Sequence, residues 1–414
     1  MINPTSTPPQ GQAGTTPDGL WFGKDLSASV PIPEAGIDRA VELMRSGRLH
    51  RYGEQGNGFP EPALLEQDFA TYLGSKFCVA VNSCGSAMFI ALKALGVKAD
   101  DPVLTSSFTL APVPGAIAHA GGRPVLVETN EDYTTDLADL EAKIKSSGSR
   151  VFLLSHMRGH IADLPAIRDL CASHGVALVE DCAHTMGAKW DGQPTGTWGK
   201  VGCFSTQTYK HINSGEGGLL VTNDEDVAAQ AILMSGCYMM YGQHILKPSE
   251  ATFERWKYLT PNFSMRMSNL AAALLRPQIA LLEKRAVTWN HHYAGLKREL
   301  EKVPAVSLPM RSSREDYVAS SIQFSLSLTP PQIERFIREC DLRGLYIKWF
   351  GRTEPLAFTS HFGHWRYIDT LPDMPRSMRV MDRLLDMRMP LSLTEEDYET
   401  IGKIVAVAVG IASI

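Results

Sequence analysis

Between Lys76 and Thr222, short apolar, β-prone runs alternate with amphipathic helical segments, and this alternation restricts the chain to an α/β sheet. The candidate strands are residues 76–81, 102–106, 123–128, 151–155, 176–180, 201–206 and 219–222, enough for one wide sheet. Helices fit between them. SAMFIALKAL follows the first strand, LADLEAKIKS follows TTD, and DLPAIRDLCASHG carries Asp163 as N-cap and Gly175 as stop. The connections have crossover length, so the sheet is expected to be mostly parallel, with ligands gathering at the carboxyl ends of its strands.

A chain of 414 residues suits a large domain plus a smaller one. A long helical stretch, 268–300, follows the strands and is expected to bend at Pro277. Beyond it, YVASSIQFSLSL, TPPQIERFIREC, LYIKWFG and two late helices read as an α+β domain of roughly one hundred residues. The expected division is a flexible tail (1–25), a large domain (26–285) and a small C-terminal domain (286–414).

Composition removes several function classes. Charged residues at 21% and hydrophobic ones at 44% are those of a soluble globular protein. The 40 Lys and Arg against 45 Asp and Glu are scattered, with no basic block, so nucleic acid is not an expected partner. No apolar stretch is long enough for a bilayer, so no membrane partner is expected either. The first twenty residues, rich in Pro, Thr and Gly, lack the apolar core of a secretory signal. Seven cysteines without a CxxC pair read as reduced, buried thiols of a cytoplasmic protein, and no metal site is expected.

Five features could carry chemistry. Asp181 emerges after V-A-L-V-E, where an ionised acid is costly unless a cation or donor meets it; a protonated ring nitrogen would do so, and an ordinary helix cap is the alternative. Lys210 stands in Q-T-Y-K-H-I-N with no Asp or Glu between Asp191 and Glu216. A lysine deprived of acids and partly desolvated becomes a nucleophilic amine, while a solvated lysine does nothing. Gly85 and Ser86 open a helix after the first strand and could cradle an anion or simply cap the helix. Ser205 is a second anion donor or a strand residue. Phe108 is a platform for a flat ring or a core residue. A phosphate cradle, a ring platform, a nitrogen partner and an amine nucleophile thus fall after successive strands, hence on one rim of the sheet, and together they describe a pyridoxal-phosphate site.

In this order the motifs resemble the DegT/DnrJ/EryC1/StrS family of pyridoxal-phosphate aminotransferases, mostly sugar aminotransferases of the fold type I class. The resemblance runs from about Val30 to the C-terminus through N-S-C-G-S-A, E-D-C-A-H-T-M-G-A, G-C-F-S-T-Q-T-Y-K, G-E-G-G-L-L-V-T-N-D and P-N-F-S-M-R-M-S-N-L. It implies that Lys210 forms the internal aldimine and shuttles the proton, that Asp181 holds the pyridinium nitrogen, and that Phe108 lies against the ring. Gly85, Ser86 and Ser205 would bind phosphate, with Gln207 near it or near the substrate. His184 takes the place where many members have Gln near the phenolic oxygen, substituting a group that titrates. Asn262 would reach a neighbour's phosphate, implying a homodimer with shared sites.

The resemblance further implies transfer from glutamate or glutamine to the keto group of a sugar, keto-deoxy or nucleotide-linked. Alternatives are a cyclitol or other non-sugar ketone on the same fold, or a non-catalytic regulatory member of the family. Arg158 stands where an aromatic is common. Residues 50–62 and 237–260 are longer than usual and read either as pocket lining or as surface loops.

Overall fold

Seven five-residue strands, dominated by Val, Leu, Phe and Ala, form the central sheet in a computed structural model that describes residues 16–53, 58–356, 358–368 and 371–414. They are β1 (Phe77–Val81), β2 (Pro102–Ser106), β3 (Arg123–Val127), β4 (Val151–Ser155) and β5 (Ala177–Asp181). After a small hairpin of β6 (Lys189–Trp190) and β7 (Gln193–Pro194) come β8 (Val201–Ser205) and β9 (Gly218–Thr222). The spatial order is β1-β9-β8-β5-β4-β2-β3. β9 runs antiparallel to both neighbours, and the other pairings are parallel. Every residue of β1, β4, β8 and β9 is buried, as expected for strands covered on both faces.

The expected local signals operate. Asp163 accepts the Ala166 N–H at 3.1 Å and opens the helix Leu164–Ser173, and Gly175 takes a left-handed φ of 66° just past its end. The 268–300 stretch differs from expectation: it is two helices, Asn269–Ile279 and Leu282–Leu300. Pro277 has no N–H to offer the carbonyl one turn back, and the first helix ends two residues later.

A second sheet, β10-β12-β14-β13 in space, is built from β10 (Val306–Ser307), β12 (Ser321–Leu326), β13 (Lys348–Trp349) and β14 (Leu384–Arg388); β11 (Glu315–Asp316) instead joins β6. Ile322, Phe324, Leu385 and Met387 are buried in one apolar cluster with residues of the helices Pro330–Leu342 and Glu395–Ala412. The alternate residues Ser321, Gln323, Asp386 and Arg388 therefore face the other way.

The described part of the segment read as a tail is packed. Phe22 is buried in that same cluster, its N–H donates to the Arg343 carbonyl at 2.8 Å, and the Arg343 guanidinium meets Asp18 at 2.6 Å. Residues 1–15 lie outside the described residues. The helix Leu282–Leu300 has Leu282 in a core cluster of the large sheet and Tyr293, Leu296 and Leu300 in that of the small sheet, so residues 285 and 286 fall within one continuous element. Among the described residues no helix is long and apolar enough to cross a membrane, and the seven cysteines are free and buried.

Candidate active site

Strand register places the candidate residues along one rim. Val81 and Ser205 both pair with Gly218, Asp181 pairs with Cys203, and Ser155 pairs with Asp181. The adjacent acids Glu180 and Asp181 divide their work because successive strand residues face opposite sides. Glu180, fully buried, accepts the N–H groups of Gly196, Trp198 and Gly199, each at 2.8 Å, and knots that turn. His156 and Cys182 bring ligating atoms within 4.8 Å of Glu180, but its oxygens already serve those backbone donors. Asp181 is 5% exposed; its Oδ2 accepts the Ser155 hydroxyl at 2.8 Å and its Oδ1 the Ala183 N–H at 3.1 Å. Thr109 Oγ1 in turn donates to Ser155 Oγ at 2.9 Å. Two carboxylate oxygens offer about four lone-pair sites, so a further donor has room.

Lys210 follows β8 in a loop turned by its own N–H donating to the Gln207 carbonyl at 2.9 Å. Its side chain is half-buried, and Nζ lies 2.8 Å from Nε2 of buried His184. Burial, with Arg158 adding, lowers the amine to about 8, against the opposing pull of Asp181. Burial and the Lys210 charge hold His184 well below the ordinary imidazole value. His184 is thus neutral near pH 7, and a protonated Lys210 can only donate to it.

At the β1 end of the rim, Ser83 Oγ accepts the Ser86 N–H at 3.0 Å, and Ser86 Oγ donates to Asn82 Oδ1 at 2.6 Å. Ser83 is therefore the cap of the helix Cys84–Ala94, while Gly85 faces open space: a Cβ there would meet only Ser83 Oγ, at 3.6 Å. Gly218 backs this turn so closely that a Cβ would lie 2.4 Å from the Ser83 carbonyl carbon and oxygen. Ser205, buried, accepts the Gln207 N–H at 3.4 Å, and Gln207 is half-buried beside it. Hydroxyls, a helix N-terminus and an open glycine suit a phosphate; Asp181 suits a ring N–H; Lys210 suits an aldehyde carbon. The residues present fit pyridoxal phosphate.

Two candidates stand apart. Phe108 is 2% exposed, with the rings of Tyr133 and Phe350 at 6.0 and 5.3 Å, so it fills the core and has no face open to a cofactor ring. Asn262 is exposed, its Oδ1 accepting the Ser264 N–H at 2.9 Å. Its loop nevertheless reaches the rim, where the Met265 carbonyl accepts the Asn82 N–H at 3.0 Å. Tyr238, Met239, Tyr258 and Leu259 of the 237–260 segment are exposed, whereas 54–57 of the other long loop lie outside the described residues.

Sequence reasoning missed Ser155 and Thr109, which support Asp181, and a charged group made by Arg158, Lys348, Asp386 and Arg388. The available signal was the alternation Leu384-Leu385-Asp386-Met387-Arg388, a strand with one apolar and one charged face.

Residues 32–406 match the DegT/DnrJ/EryC1/StrS aminotransferase family. The chain is 30% identical over 71% of its length to dTDP-3-amino-3,4,6-trideoxy-alpha-D-glucose transaminase of Streptomyces venezuelae, covering 73% of that protein. It is 40% identical over 39% of its length to L-glutamine:scyllo-inosose aminotransferase of Streptomyces griseus, spanning 38% of it. The crystal structure of 3-amino-5-hydroxybenzoic acid synthase superposes with a TM-score of 0.80 at 23% identity, over 94% of this chain and 100% of the other. The chain belongs to the DegT/DnrJ/EryC1/StrS aminotransferase family and is a pyridoxal-phosphate-dependent aminotransferase.

Proposed function

We propose that the chain transfers an amino group from glutamate or glutamine to the keto group of a sugar or cyclitol, with Lys210 as the amine that holds the cofactor. The observation carrying this reading is Lys210 itself: half-buried, lowered to about 8 and in contact with neutral His184. The sugar and cyclitol transaminases among its relatives support the substrate class. When bound, pyridoxal phosphate supplies an electron sink and a carrier for the amino group.

The chain's own residues do the rest. Asp181, held by Ser155 and Ala183, keeps the ring nitrogen protonated. Gly85, Ser86 and Ser205 bind the phosphate, with Gln207 near it. Lys210 takes the proton from the donor's α-carbon in the first half-reaction and delivers one to the acceptor's former carbonyl carbon in the second. His184 orients the Lys210 amine and would stand near the cofactor's phenolic oxygen. Phe108 supports the rim from the core rather than stacking on the ring. The protein acts in the cytoplasm as a homodimer in which Asn262 reaches the neighbour's phosphate; exposed Tyr238, with the Arg266 guanidinium 5.5 Å over its ring, and exposed Met239 would be covered there.

The test is the visible spectrum of the protein loaded with pyridoxal phosphate, before and after glutamate or glutamine, followed by borohydride reduction and peptide mapping. A yellow protein that bleaches with one donor and carries reduced cofactor on Lys210 is the expected result. Wild-type-like activity in Lys210→Ala, or a protein that never takes up cofactor, would overturn the reading, and the latter would favour a regulatory role.

A further inference from the structure

We infer that Arg388, Arg158 and Lys348 form a carboxylate-binding subsite beside Lys210, with Asp386 as their positioning residue. The inference rests on the aminotransferase reading for its place in the reaction, but its geometry stands separately.

The subsite is the polar face of the small sheet. Leu385 and Met387 of β14 enter the apolar cluster, which turns Asp386 and Arg388 to the opposite side. Register sets Lys348 directly across from Asp386 on one flank and Gln323 on the other. Both Asp386 oxygens are engaged: Oδ2 meets Arg158 Nη2 at 2.5 Å, and Oδ1 accepts the Gln323 amide at 2.8 Å. One carboxylate is thus committed to one guanidinium.

Arg388 and Lys348 have no such partner. Among the described residues neither is in an ion pair or side-chain hydrogen bond; Arg388 rests 4.2 Å over the Tyr209 ring and Lys348 4.4 Å over that of Phe350. Arg388 and Lys210 line one cavity, together with Tyr209, Ser27, Ser29 and Ser320. Arg158 is held beside them by a left-handed backbone, φ 57°, that a residue with a Cβ rarely adopts, and its Nε is buried with no partner. The cations here are Arg158, Arg388, Lys348 and Lys210, and the carboxylates acting on them are Asp386 and, toward Lys210, Asp181. Burial and mutual repulsion accordingly lower Lys348 to about 8. Partly desolvated positive charge without a counter-charge is unfavourable, and an anionic ligand relieves it.

Arginine's planar fork matches a carboxylate in a bidentate fashion. Phosphate would have its own hydroxyl donors at Ser86 and Ser205. The carboxylate belongs either to the amino donor or to the keto substrate.

The experiment titrates glutarate, a non-reacting dicarboxylate, into the cofactor-loaded enzyme by calorimetry, with cofactor colour as the control for an intact Lys210 site. Saturable binding is expected in the wild type, weakened about tenfold or more in Arg388→Met and partly restored in Arg388→Lys. Arg158→Gln is the second variant should Arg388→Met fail to fold. If Arg388→Met also raises the half-saturating concentration of glutamate or glutamine for bleaching, the subsite holds the donor. If donor saturation is unchanged while glutarate binding is lost, it holds the keto substrate's carboxylate. Equal glutarate affinity in wild type and Arg388→Met, or no binding to a fully coloured wild type, overturns the subsite. A protein that takes up no cofactor overturns the aminotransferase reading alone, and glutarate titration of that protein still decides the subsite.

Discussion

Lys210 Nζ lies 2.8 Å from His184 Nε2, and the two groups come from different strand ends of the large sheet. Burial pushes each toward its neutral form, and the Lys210 charge further disfavours charge on His184. Lys210, when charged, is therefore the donor of this contact and neutral His184 the acceptor.

Replacing His184 tests this contact. His184→Gln keeps an acceptor and should stay within about tenfold of wild type, whereas His184→Leu should slow the donor half-reaction about tenfold to a hundredfold, the kinetic equivalent of a hydrogen bond to a charged group, about 1.5–3 kcal/mol. Single-turnover bleaching measures both. Equal rates in the two variants would mean the contact is structural only.

Cofactor uptake by the empty protein should rise with pH through a midpoint near 8, because only the neutral Lys210 amine attacks an aldehyde and its value is lowered to about 8. Arg158 disfavours the ammonium form, so Arg158→Gln should move the midpoint to higher pH. Stopped-flow absorbance across pH 6–10 decides this; a midpoint unchanged from that of a free lysine, roughly 10.4, would contradict the desolvated site.

Gly218→Ala should destabilise the chain by about 1–3 kcal/mol, since its Cβ would lie 2.4 Å from the Ser83 carbonyl and backbone must shift. The same shift moves the turn at Gly85 and Ser86, so cofactor affinity should fall with stability. Urea unfolding and cofactor titration read the two effects, and a variant that loses neither would show the turn is pliable.

Ser155→Ala removes a donor to Asp181 that sits 2.8 Å from its carboxylate, leaving a buried charge with one fewer partner. A loss of about 1–3 kcal/mol in urea unfolding and weaker cofactor retention are expected. Unchanged retention would mean Asp181 is oriented by the Ala183 N–H alone.

Phe22→Ala should lose about 3–5 kcal/mol, the usual range for a phenylalanine fully embedded in a core. A loss under about 0.5 kcal/mol, ordinary for a surface position, would mean the segment is free in solution after all.

Seven strands, their connections and the rim position of Asp181, Ser205 and Lys210 were legible in the sequence because they rest on local signals: apolar runs, caps and crossover lengths. Asp163 and Gly175 show the same legibility at the scale of a single helix. The packing of Phe108 was not legible because a strand-end aromatic can face either the rim or the core, and its contacts with Tyr133 and Phe350 depend on segments far away in the chain. Phe22 was missed because a single aromatic in a proline- and glycine-rich stretch has no periodicity to announce it.

By itself, then, the sequence determined an α/β sheet with a lysine and an aspartate at its carboxyl rim, since backbone pairing and side-chain alternation follow from residues close in the chain. The pairing of Lys210 with a neutral His184, the support of Asp181 by Ser155, and the excess positive charge of Arg158, Lys348 and Arg388 were decided only by the tertiary structure. Desolvation and charge proximity are properties of residues brought together across distances that no local pattern encodes.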